Sequence, residues 1–102
     1  MVATMIEVVS KMETKEVRVP KLFPTHTVRE VLIVEKWHVR EGDIIQPDQL
    51  MVSLETPPGF FDIPTPPEVT MPHRVVYLHV PENGEIRLND LFITLEPVSE
   101  SE

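Results

Sequence analysis

The side chains best suited to metal ligation or to proton transfer near neutral pH are four histidines, His26, His38, His73 and His79. No His-x-x-x-His or histidine/carboxylate ligand spacing joins any pair of them, so the chain lacks the pattern by which a short motif brings two histidine ligands to one face. His38 and His79 each stand one residue from a valine expected in the core, and strand alternation turns them away from it; His26 and His73 are expected in loops. The carboxylates are scattered through turns and the C-terminal tail, which gives no support to a paired general acid and base. Nothing in the chain reads as a glycine-rich phosphate loop, a nucleophile elbow or a Ser/His/Asp signature. With no cysteine, thiol chemistry, thiolate metal sites and disulfides are excluded. Trp37 reads as a core residue. The sequence thus predicts no catalytic residue, no metal site and no enzyme.

Such a chain has to act through its surface. A length of 102 residues fits one domain, and 41% apolar with 25% charged residues reads as globular. The net charge of −8 argues against nucleic acid and against anionic membranes, and suits a basic protein partner. No apolar run is long enough to span a bilayer. Glu7 interrupts the apolar N-terminal stretch, with no basic region before it, so a secretory signal is not expected and the expected address is cytoplasmic.

Eleven prolines, most of them between Pro57 and Pro81, rule against long helices in that region. From Glu16 to Pro97 the chain reads as short strands: Val17 and Val19 before Pro20, a β-branched stretch from Val28 to Val39, then Leu50, Val52 and Leu54, and later Leu91, Ile93 and Leu95. Glu41-Gly42-Asp43 and Glu82-Asn83-Gly84 are turn signals. Residues 1–15 are an N-terminal extension whose apolar spacing suits a short helix or an extra strand, 16–97 form the domain, and 98–102 are an acidic tail expected to be disordered.

The most informative pattern is an internal repeat. Sliding the chain by forty-one positions lays His38-Val39-Arg40-Glu41-Gly42-Asp43 on His79-Val80-Pro81-Glu82-Asn83-Gly84, Ile45 on Ile86, Leu50 on Leu91 and Leu54-Glu55 on Leu95-Glu96. Seven of eighteen positions are identical between 38–55 and 79–96, more than chance similarity explains. Asp48 and Asn89 supply a second turn residue to each copy. One copy cannot bury its apolar face alone, so the copies are expected to pack about a pseudo-twofold axis. The predicted fold is all-β: a flattened β-barrel, or barrel-sandwich hybrid, of two antiparallel sheets.

Trp37-His38-Val39-Arg40-Glu41-Gly42-Asp43 and Leu50-Met51-Val52-Ser53-Leu54-Glu55-Thr56, with Pro20 and Leu22 ahead of them, resemble the first half of lipoyl- and biotinyl-carrier domains. The resemblance runs over roughly residues 16–96. In that family the segment after Glu-Thr carries the attachment lysine at a hairpin tip, followed by a strand ending in a Pro-Ser-Pro-like corner. Here the stretch from Glu55 to Pro66 ends in Pro64-Thr65-Pro66, and that register puts Pro58 at the lysine position. No lysine follows Lys36, and the biotinyl Met-Lys-Met is missing too. The resemblance therefore implies a carrier fold with no cofactor attached. A second departure is the glycine-free stretch from Pro67 to His73, which reads as a small insertion after the corner.

At the tip, Pro57, Pro58, Gly59, Phe60 and Phe61 form the candidate contact for a partner: the prolines restrict the backbone, and alternation allows only one phenylalanine to face the core. The alternative is that the second ring folds back on the prolines or the N-terminal segment. The expected function is a non-catalytic interaction or scaffold module for another protein of unknown identity, with a homo-oligomer left open. Two alternatives are an unconventional carrier modified at Lys11, Lys15, Lys21 or Lys36, and a relative of membrane fusion adaptor domains, which usually insert a helical hairpin between the halves.

Overall fold

The computed structural model describes residues 14–98. They form eight strands and no helix: β1 (Lys15–Arg18), β2 (Leu32–Trp37), β3 (Ile44–Ile45), β4 (Leu50–Thr56), β5 (Gly59–Pro64), β6 (His73–Leu78), β7 (Glu85–Ile86) and β8 (Leu91–Pro97). The first sheet runs β5-β4-β2-β7 and the second β1-β8-β6-β3, with every pair antiparallel. No hydrogen-bonded strand pair joins one sheet to the other, so the flattened barrel is an open two-sheet sandwich and not a closed cylinder.

The repeat is realised strand for strand. A forty-one-residue shift carries β2 onto β6, β3 onto β7 and β4 onto β8 with both ends of each strand matching, while β5 and β1 occupy equivalent edges. The turn residues match as well. Asp48 and Asn89 have φ of 64° and 74°, and Gly42 and Asn83 have φ of 94° and 70°. This left-handed conformation is cheap for glycine and tolerable for Asn and Asp, whose short side chains bond locally. Alternation then turns Leu32, Val34, Leu54 and Ile86 of the first sheet and Val75, Ile93 and Leu95 of the second into one buried core. Trp37 is half-buried at its edge, 6.1 Å from Phe92, with its indole N–H donating to the Val80 carbonyl at 2.7 Å.

Each half also holds the end of the other half's long strand. The backbone N–H of Trp37 donates to Glu82 Oε2 at 3.1 Å, and that of Leu78 to Glu41 Oε2 at 3.0 Å. Around these, Gly42 N donates to Val75 O and Asn83 N to Val34 O, while Val75 N donates to Asp43 O and Val34 N to Gly84 O. The turn after one copy's strand is thus the hydrogen-bonding partner of the other copy's strand.

Three expectations need correcting. The stretch from Val28 to Val39 is a strand only from Leu32 to Trp37: Glu30 N donates to Thr27 O and Arg29 N to Thr27 Oγ1, a local turn that β-branched side chains do not override. His73 is not in a loop; it opens β6, paired with Ile45 and Pro97. Lys15, assigned by sequence to the extension, is the first residue of β1, paired with Leu95. The helix or extra strand read for the N-terminal extension, and the disordered acidic tail apart from Val98, lie outside the described residues.

Nothing lies within 4 Å of a Cβ built on Gly42, so substitution there meets conformational cost alone. Gly42→Ala is expected to lower stability by about 1–2 kcal/mol. Gly42→Asn, which copies Asn83 at the related position, is expected to lose less. Urea unfolding of the two variants measures the difference.

Candidate functional site

The β4–β5 hairpin carries the tip. Thr56 pairs with Gly59, which leaves Pro57 and Pro58 as a two-residue turn, both exposed. Gly59 has φ of 145°, a region closed to side chains with a Cβ, and its N–H donates to Thr56 Oγ1 at 3.2 Å. Two proline rings, a glycine turn and a threonine strap make the tip stiff before anything touches it. The phenylalanines divide as alternation requires. Phe61 is half-buried 5.9 Å from Phe23, whose ring stacks on buried His26 at 4.7 Å. Phe60 points outward and is 68% exposed. The second ring is therefore not folded back. The β2 approach loop, through Phe23 and His26, buttresses the tip from below; no sequence pattern links those two residues to it.

A cleft of about 450 Å³ opens elsewhere, between the two edge strands β1 and β5. Val17, Ile63 and Phe92 line it together with Pro20 and Pro64, and Glu16 and Arg18, an ion pair at 3.8 Å, stand at its side. It lies between the equivalent edges where a closed barrel would have joined. None of the five tip residues lines it. Its lining is mostly apolar side chains and prolines, with Thr65 and Glu68 adding to the polar side.

A polar relay that the sequence did not reveal joins β4 and β5 to the residue that follows β2. Ser53 Oγ donates to Asp62 Oδ1 at 2.6 Å and lies 2.8 Å from His38 Nε2. The carboxylate takes the serine's single proton, so the imidazole N–H donates to the same oxygen. Serine stands between the acid and the histidine, the reverse of a nucleophilic triad, in which histidine lies in the middle. The related His79 Nε2 lies 2.7 Å from Thr94 Oγ1, so the contact belongs to the repeated framework. His38 and His79 are both exposed, as alternation predicts. Among the described residues no group of three His, Asp or Glu side chains gathers as a metal would require.

No family model matches this chain, and no curated protein matches it.

The other two histidines are buried. His26 Nδ1 accepts from Leu22 N at 3.0 Å, which puts the proton of the neutral ring on Nε2. His73 Nδ1 donates to Met71 O at 2.8 Å. In both rings Nε2 is buried with no hydrogen-bond partner among the described residues, so each serves chiefly as an aromatic filler. Lys15 lies in β1, Lys21 in the loop after it and Lys36 in β2, so none of these described lysines occupies the hairpin turn. Among the described residues no helix is long and apolar enough to cross a membrane.

Ser53→Ala removes, from a residue only 9% exposed, a hydroxyl that satisfies two partners at once. It is expected to lower stability by about 1–2 kcal/mol, read from the urea midpoint.

Proposed function

We propose that this chain is a cofactor-free domain of the lipoyl/biotinyl kind, and that it works as a protein-interaction module through the β4–β5 hairpin tip. The observation that carries the reading is the tip itself: an outward phenyl ring, Phe60, beside an exposed Pro57-Pro58 turn that has no amine to acylate. An aromatic ring on a preorganised backbone loses little entropy on docking, which is how a few interface residues come to dominate affinity. Support for the family comes from the forty-one-residue repeat, realised in equivalent strands, and from the Trp37-to-Asp43 and Leu50-to-Thr56 segments. The carboxylates flanking the tip, Glu55 and Asp62, favour a basic partner surface.

Two measurements on the full chain test this. Its intact mass after purification from its own host is expected to equal that of the unmodified 11.7 kDa polypeptide; a lipoyl- or biotinyl-sized increment on any lysine would restore a carrier role and overturn the proposal. Capture of partners with the wild-type chain and with Phe60→Ala is expected to show about tenfold weaker binding for the variant. Its stability should stay within roughly 0.5 kcal/mol of wild type, because the ring is exposed.

A further inference from the structure

Strand register places four side chains of the first sheet in one row on its outer face. Phe60 stands opposite Glu55, Glu55 opposite Ile33, and Ile33 opposite Glu85. Their neighbours Leu32, Leu54 and Ile86 point into the core, so alternation turns this row outward, where Phe60, Glu55 and Glu85 are exposed and Ile33 is half-buried between them. The row crosses all four strands as apolar, acidic, apolar, acidic. Neither carboxylate takes part in the two ion pairs found among the described residues, Arg18–Glu16 and Arg74–Glu96. Lys36, the sheet's one cation, stands in the next row opposite Ser53.

The pseudo-twofold supplies an internal comparison. The position related to Ile33 is Arg74 and that related to Glu55 is Glu96, and there the two form an ion pair at 3.1 Å. In the second sheet the chain provides its own cation; in the first the same glutamate faces an isoleucine. The strands' charges follow suit. The first sheet holds Glu35, Glu55, Asp62 and Glu85 against Lys36, and the second Lys15, Arg18 and Arg74 against Glu16 and Glu96. That is a net −3 against +1.

The geometry points to a basic amphipathic helix of another protein as the occupant of this face, its cations meeting Glu55 and Glu85 and its apolar side chains covering Phe60 and Ile33. Neighbouring strands lie about 4.8 Å apart, so the row repeats at about 0, 5, 10 and 14 Å. Helix positions i, i+3, i+7 and i+10 rise by about 0, 4.5, 10.5 and 15 Å and share one face. An extended segment repeats on one side only every ~6.8 Å and falls out of step. A second copy of this chain is disfavoured, because two molecules of net charge −8 repel. This inference rests on the interaction-module reading and deepens it, because Phe60 ends the row at the tip.

The test is a titration of the isotope-labelled full chain with an acetylated, amidated helical peptide in an Ala/Gln background. It carries Leu at i and i+7 and Arg at i+3 and i+10; a control peptide of the same composition has a scrambled order. Amide signals of Ile33, Glu55, Phe60 and Glu85 are expected to move, and affinity to fall with added salt. The ordered peptide should bind better than the scrambled one. Ile33→Arg, which rebuilds the Arg74–Glu96 arrangement, should weaken binding by about tenfold while leaving the protein folded, and Glu55→Gln with Glu85→Gln should do the same. Shifts centred on the second sheet, equal binding of the scrambled peptide, or Ile33→Arg binding like wild type would overturn the proposal. Loss of a captured partner with Phe60→Ala alone, the charge variants being silent, would retain the tip and reject the helix face. Loss with the charge variants alone would do the reverse.

Discussion

Each half of this molecule finishes its first long strand against a carboxylate that the other half supplies, and the rest of the structure depends on that exchange. Glu82 and Glu41 accept the N–H groups of Trp37 and Leu78 across 45 and 37 residues of chain. Neither turn has its partner until both copies are present, and neither sheet has a covered inner face without the other. These two bonds are exposed to solvent, so their weight lies in fixing how the halves join, while the core that the two sheets share makes the halves fold as one unit. The same non-local pairing makes this a topology in which chain closure precedes most of the energetic return.

The framework was legible because it is written twice. Apolar period, turn residues and spacing recur at forty-one residues, and β3, β4, β7 and β8 follow from them, whereas the β-branched stretch overruns β2 at both ends and the start of β6 at His73 carries no strand signal. What the sequence could not show lies where tertiary register decides. Ser53 is fifteen residues from His38 and nine from Asp62, and the bulges at Val34/Lys36 and Leu50/Val52 set the register that brings the end of β2, β4 and β5 together. The packing of Phe23 under Phe61 joins a loop to an edge strand with no periodic signal. Val28 and Val31 have strand-forming side chains, yet a local hydrogen-bonded turn holds that stretch away from the sheet. At the candidate tip, proline content marked the turn and alternation required one ring to face outward, and the structure shows that ring to be Phe60.

A repeated fold separates what is structural from what is particular. Where related positions agree in type, as His38 with His79, Ser53 with Thr94 or Asp48 with Asn89, they make the same hydrogen bond or the same turn in both halves. Where they disagree, the framework does not require the difference. Ile33 against Arg74 is such a place, and the Pro57-Pro58 tip lies in β4–β5, the one long hairpin within the first sheet, whereas the related edge strand β1 arrives from the N-terminal side. Partner chemistry is therefore sought in the asymmetries, on a scaffold that is otherwise obliged to match itself.

Two sheets that never close leave four strand edges, and each is blunted in a different way. β3 and β7 are two residues long, too short to template another strand. β5 ends in Pro64, which has no N–H to offer, and β1 alternates Lys15, Glu16 and Arg18 around a single valine before Pro20. The prolines that line the cleft thus also guard it: the gap in the barrel stays open to solvent without becoming a seed for cross-β growth, and a small, strand-rich, helix-poor domain is protected against polymerising edge to edge.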